Sequence, residues 1–273
     1  MAHILVTNDD GVDSPGLLAL AQALRAVGRV TVIAPDSNRS AIGRGITIHN
    51  PLHLDQVTLA DGTDAYATDG TPVDCVRFAT TPILDEPPNV VVSGINLGLN
   101  VGDDVTYSGT VAAALEGMLL GLPAIAVSAQ ATDQSAMQWD GTAYDFRVAA
   151  DFAARLVPII SGPDFPSGVI LNVNVPGRDA TGISEAWVTR LGRRIYQDEL
   201  RVLPERDGRR RYSIYGPVAG YQRESGTDFA AIEAGAVSVT PMHFNLTDMD
   251  GMDRLKALAL ADLLAPDARV YSA

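Results

Sequence analysis

The chain has 273 residues, 47% of them hydrophobic and 19% charged, and carries a formal net charge of −13. This composition allows a sizeable core and excludes a disordered chain, while the acidic balance excludes a long nucleic-acid track, which needs a basic surface. No apolar stretch reaches the length of a membrane-spanning helix, so no membrane partner is expected. The start of the chain lacks a basic region followed by an apolar run, so no signal peptide is expected. A single cysteine, Cys75, excludes an intrachain disulfide and a thiolate metal site. A cytoplasmic location is therefore expected, with Cys75 in the core beside Val73, Val76 and Phe78. Lys256 is the sole lysine and no G-x-x-x-x-G-K-[ST] occurs, so a phosphate loop that relies on lysine is not expected.

Ile4-Leu5-Val6 is a short aliphatic run that suits a buried parallel strand. It ends in Thr7-Asn8-Asp9-Asp10-Gly11. Ser14 then reads as an N-cap with Pro15 at the first helical position, and Leu17, Leu20, Ala21, Leu24 and Val27 repeat at helical spacing. Two adjacent carboxylates, Asp9 and Asp10, thus fall on a loop at the carboxyl end of the first strand, where open α/β sheets place ligands. Adjacent carboxylates repel, and a hard divalent cation with oxygen ligands removes the conflict.

Val30 to Ala34 gives a second strand, closed by Pro35-Asp36 and followed by the polar loop Ser37-Asn38-Arg39-Ser40 with Gly43 and Gly45. Short strands are expected at 46–48, 52–54 and 64–68, with a turn at Asp61-Gly62. His49 and His53 sit in strand-like sequence and read as packing or exposed residues, not as a metal pair. Thr71 caps a helix that begins at Pro72 and runs to about Ala79. Asn89 to Ile95 is the strongest buried strand, and it leads through Asn96 to Asp104 into Ser108-Gly109-Thr110 and an Ala-rich helix from Val111 to Leu120. A helix start offers unpaired N–H groups to a phosphate. Residues 124–128 and 169–175 are further strands, separated by a helix around 144–160. The alternation predicts a doubly wound, mostly parallel α/β sheet.

Past Val175, taken as the last sheet strand, the texture changes. Residues 186–190 are strand-like. Arg194, Arg201, Arg206, Arg209, Arg210 and Arg211 surround a hairpin turn at Asp207-Gly208, and interspersed acids make this a solvated, salt-bridged arm. A strand at 236–241 and a helix from Met252 to Leu264 close the chain. That helix carries Leu255, Leu258, Ala259 and Leu263 as an apolar stripe, which needs a partner. The expected organisation is a catalytic domain over 1–180 and a C-terminal extension over 181–273.

Several long motifs in order resemble the SurE family over nearly the whole chain. They are Asn8-Asp9-Asp10-Gly11, Ser14-Pro15-Gly16, Ala34-Pro35-Asp36, Asn38-Arg39-Ser40, Ser93-Gly94-Ile95-Asn96 and Tyr107-Ser108-Gly109-Thr110-Val111-Ala112-Ala113-Ala114. Leu171-Asn172-Val173-Asn174-Val175-Pro176, Thr189-Arg190-Leu191-Gly192 and Val239-Thr240-Pro241 extend the match. The resemblance implies a Rossmann-like fold and a metal-dependent phosphatase of nucleoside 5′-monophosphates, with 3′-monophosphates and short polyphosphate as further substrates. It implies metal ligands at Asp9, Asp10, Ser40 and Asn96, and a phosphate-contacting segment at Asn100, Ser108, Gly109 and Thr110. It also implies a C-terminal part that reaches into a neighbouring subunit, as a homodimer or homotetramer. The sequence departs from the family pattern at Ala41-Ile42-Gly43-Arg44-Gly45, at Asn245-Leu246-Thr247 in place of Asp-Leu-Thr, and in a longer stretch from Gln130 to Gly141.

The resulting expectation is a metal-dependent phosphomonoesterase with one Mg²⁺, Mn²⁺ or Ca²⁺ per subunit. Water activated at the cation attacks, with Asp9 or Asp10 as base. Two alternatives stay open: a covalent aspartyl-phosphate route through Asp9 or Asp10, and a nucleotide-binding regulator without turnover. The first is disfavoured because the acids are adjacent, whereas haloacid-dehalogenase-type phosphatases use Asp-x-Asp.

Overall fold

The computed structural model describes residues 2–133, 141–196, 199–214, 220–258, 260 and 264. In chain order the main elements are β1 (Ala2–Thr7), α1 (Pro15–Leu24), β2 (Gly28–Pro35), β3 (Leu54–Thr58), β4 (Asp64–Thr68), α2 (Pro72–Ala79), β5 (Val90–Leu97), α3 (Gly109–Leu119), β6 (Ala124–Ala129), α4 (Arg147–Ile160) and β7 (Ile170–Val175). They are followed by β8 (Ala186–Val188), β9 (Arg194–Ile195), β10 (Arg201–Arg206), β11 (Arg209–Ser213), β12 (Gly220–Tyr221), α5 (Asp228–Ala234), β13 (Val237–Met242) and α6 (Met249–Lys256).

Among the described residues nine strands form one sheet in the order β3-β4-β2-β1-β5-β6-β7-β13-β8. The run from β4 through β2, β1, β5 and β6 to β7 is parallel throughout. The fold is thus the expected Rossmann-like, mostly parallel sheet. From β1 the chain moves outward to β2 on one side and later to β5 on the other, so β1 and β5 flank the point where strand order reverses. A crevice opens at the carboxyl ends of two such strands, because their connections leave in opposite directions.

Side chains of a strand alternate between faces, which is why an aliphatic run can serve two cores at once. Ile4 and Val6 join Leu17, Leu20, Leu24, Ala149 and Val157 on the α1/α4 side. Leu5 points the other way, into Cys75, Val76, Val111 and Ala114 on the α2/α3 side. Cys75 is fully buried, as expected, and burial pushes its thiol well above the usual range.

Helix starts follow the sequence signals closely. Thr71 caps α2 by accepting from the Asp74 N–H, and the Asp74 carboxylate returns the bond to the Thr71 N–H. Ser108 caps α3 by accepting from the Val111 N–H at 3.0 Å. Pro15 opens α1, although Ser14 makes no side-chain cap bond there.

Several expectations need correction. Val175 does not end the sheet: β13 pairs antiparallel with β7, and β8 pairs parallel with β13. A boundary at residue 180 would cut through this sheet. The chain instead divides into Met1–His243 and Phe244–Ala273. Residues 46–48 form no strand, because the Thr47 N–H and hydroxyl bond to the Asp74 carboxylate rather than to a neighbouring strand. The strand expected at 52–54 begins only at Leu54, since the His53 N–H bonds the Asp69 side chain.

The hairpin is present as expected. β10 and β11 pair antiparallel around Asp207-Gly208, both with positive φ (53° and 70°), the conformation that a tight two-residue hairpin requires. In the second unit α6 starts at Met249, three residues before the expected Met252. Ala259 and Leu263 of its apolar stripe, and most of the long stretch from Gln130 to Gly141, lie outside the described residues.

Candidate active site

The carboxyl ends of β1 and β5 and the start of α3 meet at the reversal point. Asn8 shapes the first loop: its side chain accepts from the Gly11 N–H (3.2 Å) and donates to the Gly11 carbonyl (2.9 Å). Gly11 has φ +105°, a left-handed conformation that glycine adopts without strain. This turn presents Asp9 inward, 3% exposed, and Asp10 half-buried at its side.

Asp9 is held through both oxygens. Oδ1 accepts from the Thr110 hydroxyl at 2.5 Å, and Oδ2 accepts from the Gly109 N–H at 3.1 Å. The approach is close enough that a Cβ on Gly109 would lie 2.7 Å from the Asp9 Cβ, so only glycine fits there. The Asp10 Oδ2 accepts from the Leu97 N–H of β5 at 3.0 Å. Its Oδ1 is buried without a hydrogen-bond partner among the described residues. Asn96 turns its amide N–H to the Gly98 carbonyl (2.8 Å), which leaves its oxygen 3.3 Å from the Thr110 hydroxyl. One hydroxyl has one proton to give. The 2.5 Å contact marks Asp9 as its acceptor, and the Asn96 oxygen is left for another donor or for a cation.

The electrostatics agree with the geometry. Burial raises the Asp9 carboxyl above the usual carboxylate range, opposed by the Thr110 hydrogen bond. Burial, and then the charge of Asp9, pushes Asp10 up to about 7. Of the four oxygens of the pair, the Asp10 Oδ1 is the one without a hydrogen-bond partner among the described residues.

Ser40, half-buried, follows Arg39, whose N–H donates to the Asp9 carbonyl at 2.7 Å. Ser40 is thereby tied through the backbone to the same turn. Its own N–H bonds the Asn38 side chain at 2.8 Å.

The residues of the phosphate segment suggested by the resemblance make these bonds within the chain. The Gly109 N–H and the Thr110 hydroxyl are both used on Asp9, so the start of α3 serves the carboxylate pair. Ser108 is occupied as an N-cap acceptor but keeps its own O–H. Asn100 belongs to a separate buried network. Its amide donates to the Ser128 hydroxyl (2.8 Å), its N–H donates to the Asn174 side chain (2.8 Å), and its carbonyl accepts from Asn172 and Asn174.

Sequence reading missed that network. The available signal was a pair of asparagines two apart, Asn172 and Asn174, on an otherwise apolar strand, which puts both amides on one face. It also missed Asp228, whose carboxylate accepts from the N–H groups of Gly102, Gly192 and Phe229 and so fixes the loop that follows Asn96. His53 pairs with Asp69 at 2.8 Å on the surface and plays no part in the site.

A cavity of about 460 Å³ lies at the same edge of the sheet, lined by Leu99, Val101, Gln130, Tyr221 and Phe229 among others. No group of three or more His, Cys, Asp or Glu that could hold a metal occurs among the described residues. The contacts at the reversal point instead bring together two carboxylates and the Asn96 side-chain oxygen. An all-oxygen set with a partnerless, buried carboxylate oxygen fits a hard divalent cation.

Comparison with known proteins agrees with this description. The family model for survival protein SurE matches residues 4–198. The chain is 46% identical over 267 residues to a protein of Rubrobacter xylanophilus named 5′-nucleotidase SurE, covering 96% of this chain and 99% of the relative. It is 47% identical over 255 residues to the protein of the same name from Herpetosiphon aurantiacus, covering 93% and 96%. The crystal structure of the SurE protein from Aquifex aeolicus superposes with a TM-score of 0.75 at 36% identity, covering 94% of this chain and 99% of that one. The chain belongs to the survival protein SurE family.

Proposed function

We propose that this protein is a divalent-cation-dependent 5′-nucleotidase that hydrolyses nucleoside monophosphates to nucleoside and phosphate. The relatives named 5′-nucleotidase SurE support the reaction class. The single observation that carries the metal reading is the Asp9–Asp10 pair at the reversal point, with the Asp10 Oδ1 buried and unpartnered. Asp9, Asp10, Ser40 and Asn96 are the residues that would hold one Mg²⁺, Mn²⁺ or Ca²⁺ per subunit. When bound, such an ion supplies a Lewis acid for a phosphoryl oxygen and lowers the pKa of water.

The chain's own residues do the positioning. Thr110 and the Gly109 N–H orient Asp9, and the Leu97 N–H orients Asp10. The free Ser108 O–H is the donor that this helix start can still offer to a phosphoryl oxygen. Asn100 supports the loop through its carbonyl and amide. Asp9 or Asp10 is the acid that takes a proton from water. The cavity beside Leu99 is the room proposed for the nucleoside. Action on 3′-monophosphates and short polyphosphate is proposed from the family resemblance.

The same reading includes an oligomer. The arm formed by β10 and β11 exposes Val202 and Tyr212, with Leu200 and Ile214 at its ends exposed as well. An isolated hairpin with exposed apolar groups needs a packing partner, and exchange between identical subunits offers one. We propose a homodimer, or a dimer of dimers, joined by the C-terminal part of the chain. No helix among the described residues is long and apolar enough to cross a membrane. A cytoplasmic location is proposed on the free, buried Cys75.

Phosphate release from AMP tests the reaction. It should require Mn²⁺ or Mg²⁺, stop on chelation, and be lost in Asp10→Asn. Turnover that persists in excess chelator would overturn the metal reading. A labelled aspartyl phosphate trapped on Asp10 would instead favour the covalent route.

A further inference from the structure

One buried carboxylate has no part in the chemistry above. Glu116, on the helix whose first turn holds Asp9, is 1% exposed, yet it lies between two guanidinium groups. Arg44 Nη2 donates to Oε2 at 2.6 Å, and Arg77 Nη2 lies 2.6 Å from Oε1. A carboxylate at this depth is tolerated only when paired, and Glu116 has two guanidinium partners, so the loss of one leaves the other.

The two arginines come from different places. Arg77 is on α2, which packs beside α3. Arg44 is in the irregular segment that leaves β2, passes Ser40 and crosses toward α2. That segment is pinned in sequence. The Arg39 N–H donates to the Asp9 carbonyl (2.7 Å), and the Gly43 N–H donates to the Tyr107 carbonyl (3.0 Å). Arg44 then reaches Glu116, and the Gly45 carbonyl accepts from the Thr71 hydroxyl (2.8 Å). Ala41 and Gly43 both have positive φ (58° and 61°), so the backbone between Ser40 and Arg44 is sharply folded and needs anchors at both ends. On the Ser40 side the anchor is Asp9. On the other side it is the Tyr107 carbonyl and Glu116.

We propose that the Arg44–Glu116 pair is a positioning device for Ser40. It locks the folded segment 40–45 onto α3 and so holds Ser40 beside the carboxylate pair. It thereby sets the affinity for a divalent cation without touching the cation. The inference rests on the reading of Ser40 as a metal ligand.

The test is Mn²⁺ binding to the full-length, metal-free protein, read by electron paramagnetic resonance of free Mn²⁺, with the thermal midpoint recorded alongside. Supporting groups around metal ligands typically contribute about ten- to a hundredfold in affinity. Arg44→Ala should therefore weaken Mn²⁺ binding about tenfold, and Arg44→Lys, which keeps the charge, should recover most of it. In Arg44→Ala the Glu116 carboxylate keeps Arg77 as its partner, and the double variant Arg44→Ala/Glu116→Gln removes the buried carboxylate itself. It should fold as wild type and still bind Mn²⁺ weakly. Combined with Ser40→Ala, the Arg44→Ala change should add nothing further, because both act through one ligand.

Wild-type Mn²⁺ affinity in Arg44→Ala and in the double variant, with only the thermal midpoint lowered, would overturn the proposal and leave the Ser40 ligand intact. Losses that multiply with those of Ser40→Ala would overturn it too, by showing a route that bypasses Ser40. Wild-type affinity in Ser40→Ala alone would overturn it differently, by removing the ligand on which it stands.

Discussion

The crevice between β1 and β5 and the arm of β10 and β11 are built on opposite terms. In the crevice, polar groups are buried and aimed by backbone from distant parts of the chain: the Gly109 N–H reaches Asp9 and the Leu97 N–H reaches Asp10. In the arm, Val202 is 74% exposed and the arginines point to solvent. On the proposed reading the crevice takes a cation and the arm takes a partner subunit. Rigid donors fix ligand atoms to within fractions of an ångström, whereas an association surface needs only exposed apolar area and a closing symmetry. The two regions should therefore fail independently.

The largest expected effect lies in the crevice. Asp9→Asn and Asp10→Asn should each lower phosphate release from AMP on the order of a hundredfold or more, through loss of a ligand charge. Far-ultraviolet circular dichroism should stay unchanged. Full activity of either variant at saturating Mn²⁺ would break the contrast at its first term.

Next comes the arm. Deleting residues 201–213, or replacing Val202 and Tyr212 by Asp, should weaken association on the order of a hundredfold, as loss of anchor residues at an interface does. Light scattering and sedimentation would follow it, and Mn²⁺ affinity should stay within about twofold, since the sites are separate. A wild-type protein that runs as a compact monomer at micromolar concentration would contradict the oligomer.

Thr110→Val sharpens the crevice further. Because the hydroxyl binds Asp9 rather than a free phosphoryl position, the change should cost about tenfold in Mn²⁺ affinity. If vanadate inhibition weakened and Mn²⁺ affinity held, Thr110 would belong to phosphate after all.

A subtler effect has opposite signs for binding and stability. The Asp10 carboxyl, ordinarily near 3.8, is raised to about 7 in the folded protein by burial and by Asp9. The folded state therefore binds more protons than the unfolded one between about pH 4 and pH 7. The stability from this group is fully present below that window and is lost as pH rises through about 7. Metal-free Asp10→Asn should thus melt higher than wild type at pH 8, with the gap closing toward pH 5. Mn²⁺ affinity of the wild type should fall as pH drops below about 7, since the ion must displace a proton. Thermal scans and Mn²⁺ titrations over that range read both. The smallest effect belongs to His53→Gln: the exposed His53–Asp69 pair lies outside the crevice, and Mn²⁺ dependence should not change.

Much of this architecture was legible in the chain. Runs such as Ile4-Leu5-Val6 and Val90-Val91-Val92 alternate between two cores, and the capping pairs Thr71-Pro72 and Ser108-Gly109 mark helix starts by local chemistry alone. The Asp9–Asp10 pair was legible for the same reason: an aliphatic strand ends where a turn begins. Long-range pairing was not. That β13 runs antiparallel beside β7 depends on register between segments over sixty residues apart, which local periodicity does not encode. The bond from Thr110 to Asp9 was not legible, because a helix start suits a phosphate and a carboxylate equally and the two residues are 101 apart in sequence. Arg44 and Glu116, 72 residues apart in sequence, carried no signal of their contact.

The most direct measurement is calorimetric titration of chelator-treated protein with Mn²⁺, run in parallel with phosphate release from AMP. The account predicts one ion bound per chain, turnover that rises in step with its occupancy, and loss of both in Asp10→Asn. Turnover at zero occupancy, or unchanged Mn²⁺ binding in Asp10→Asn, would contradict it.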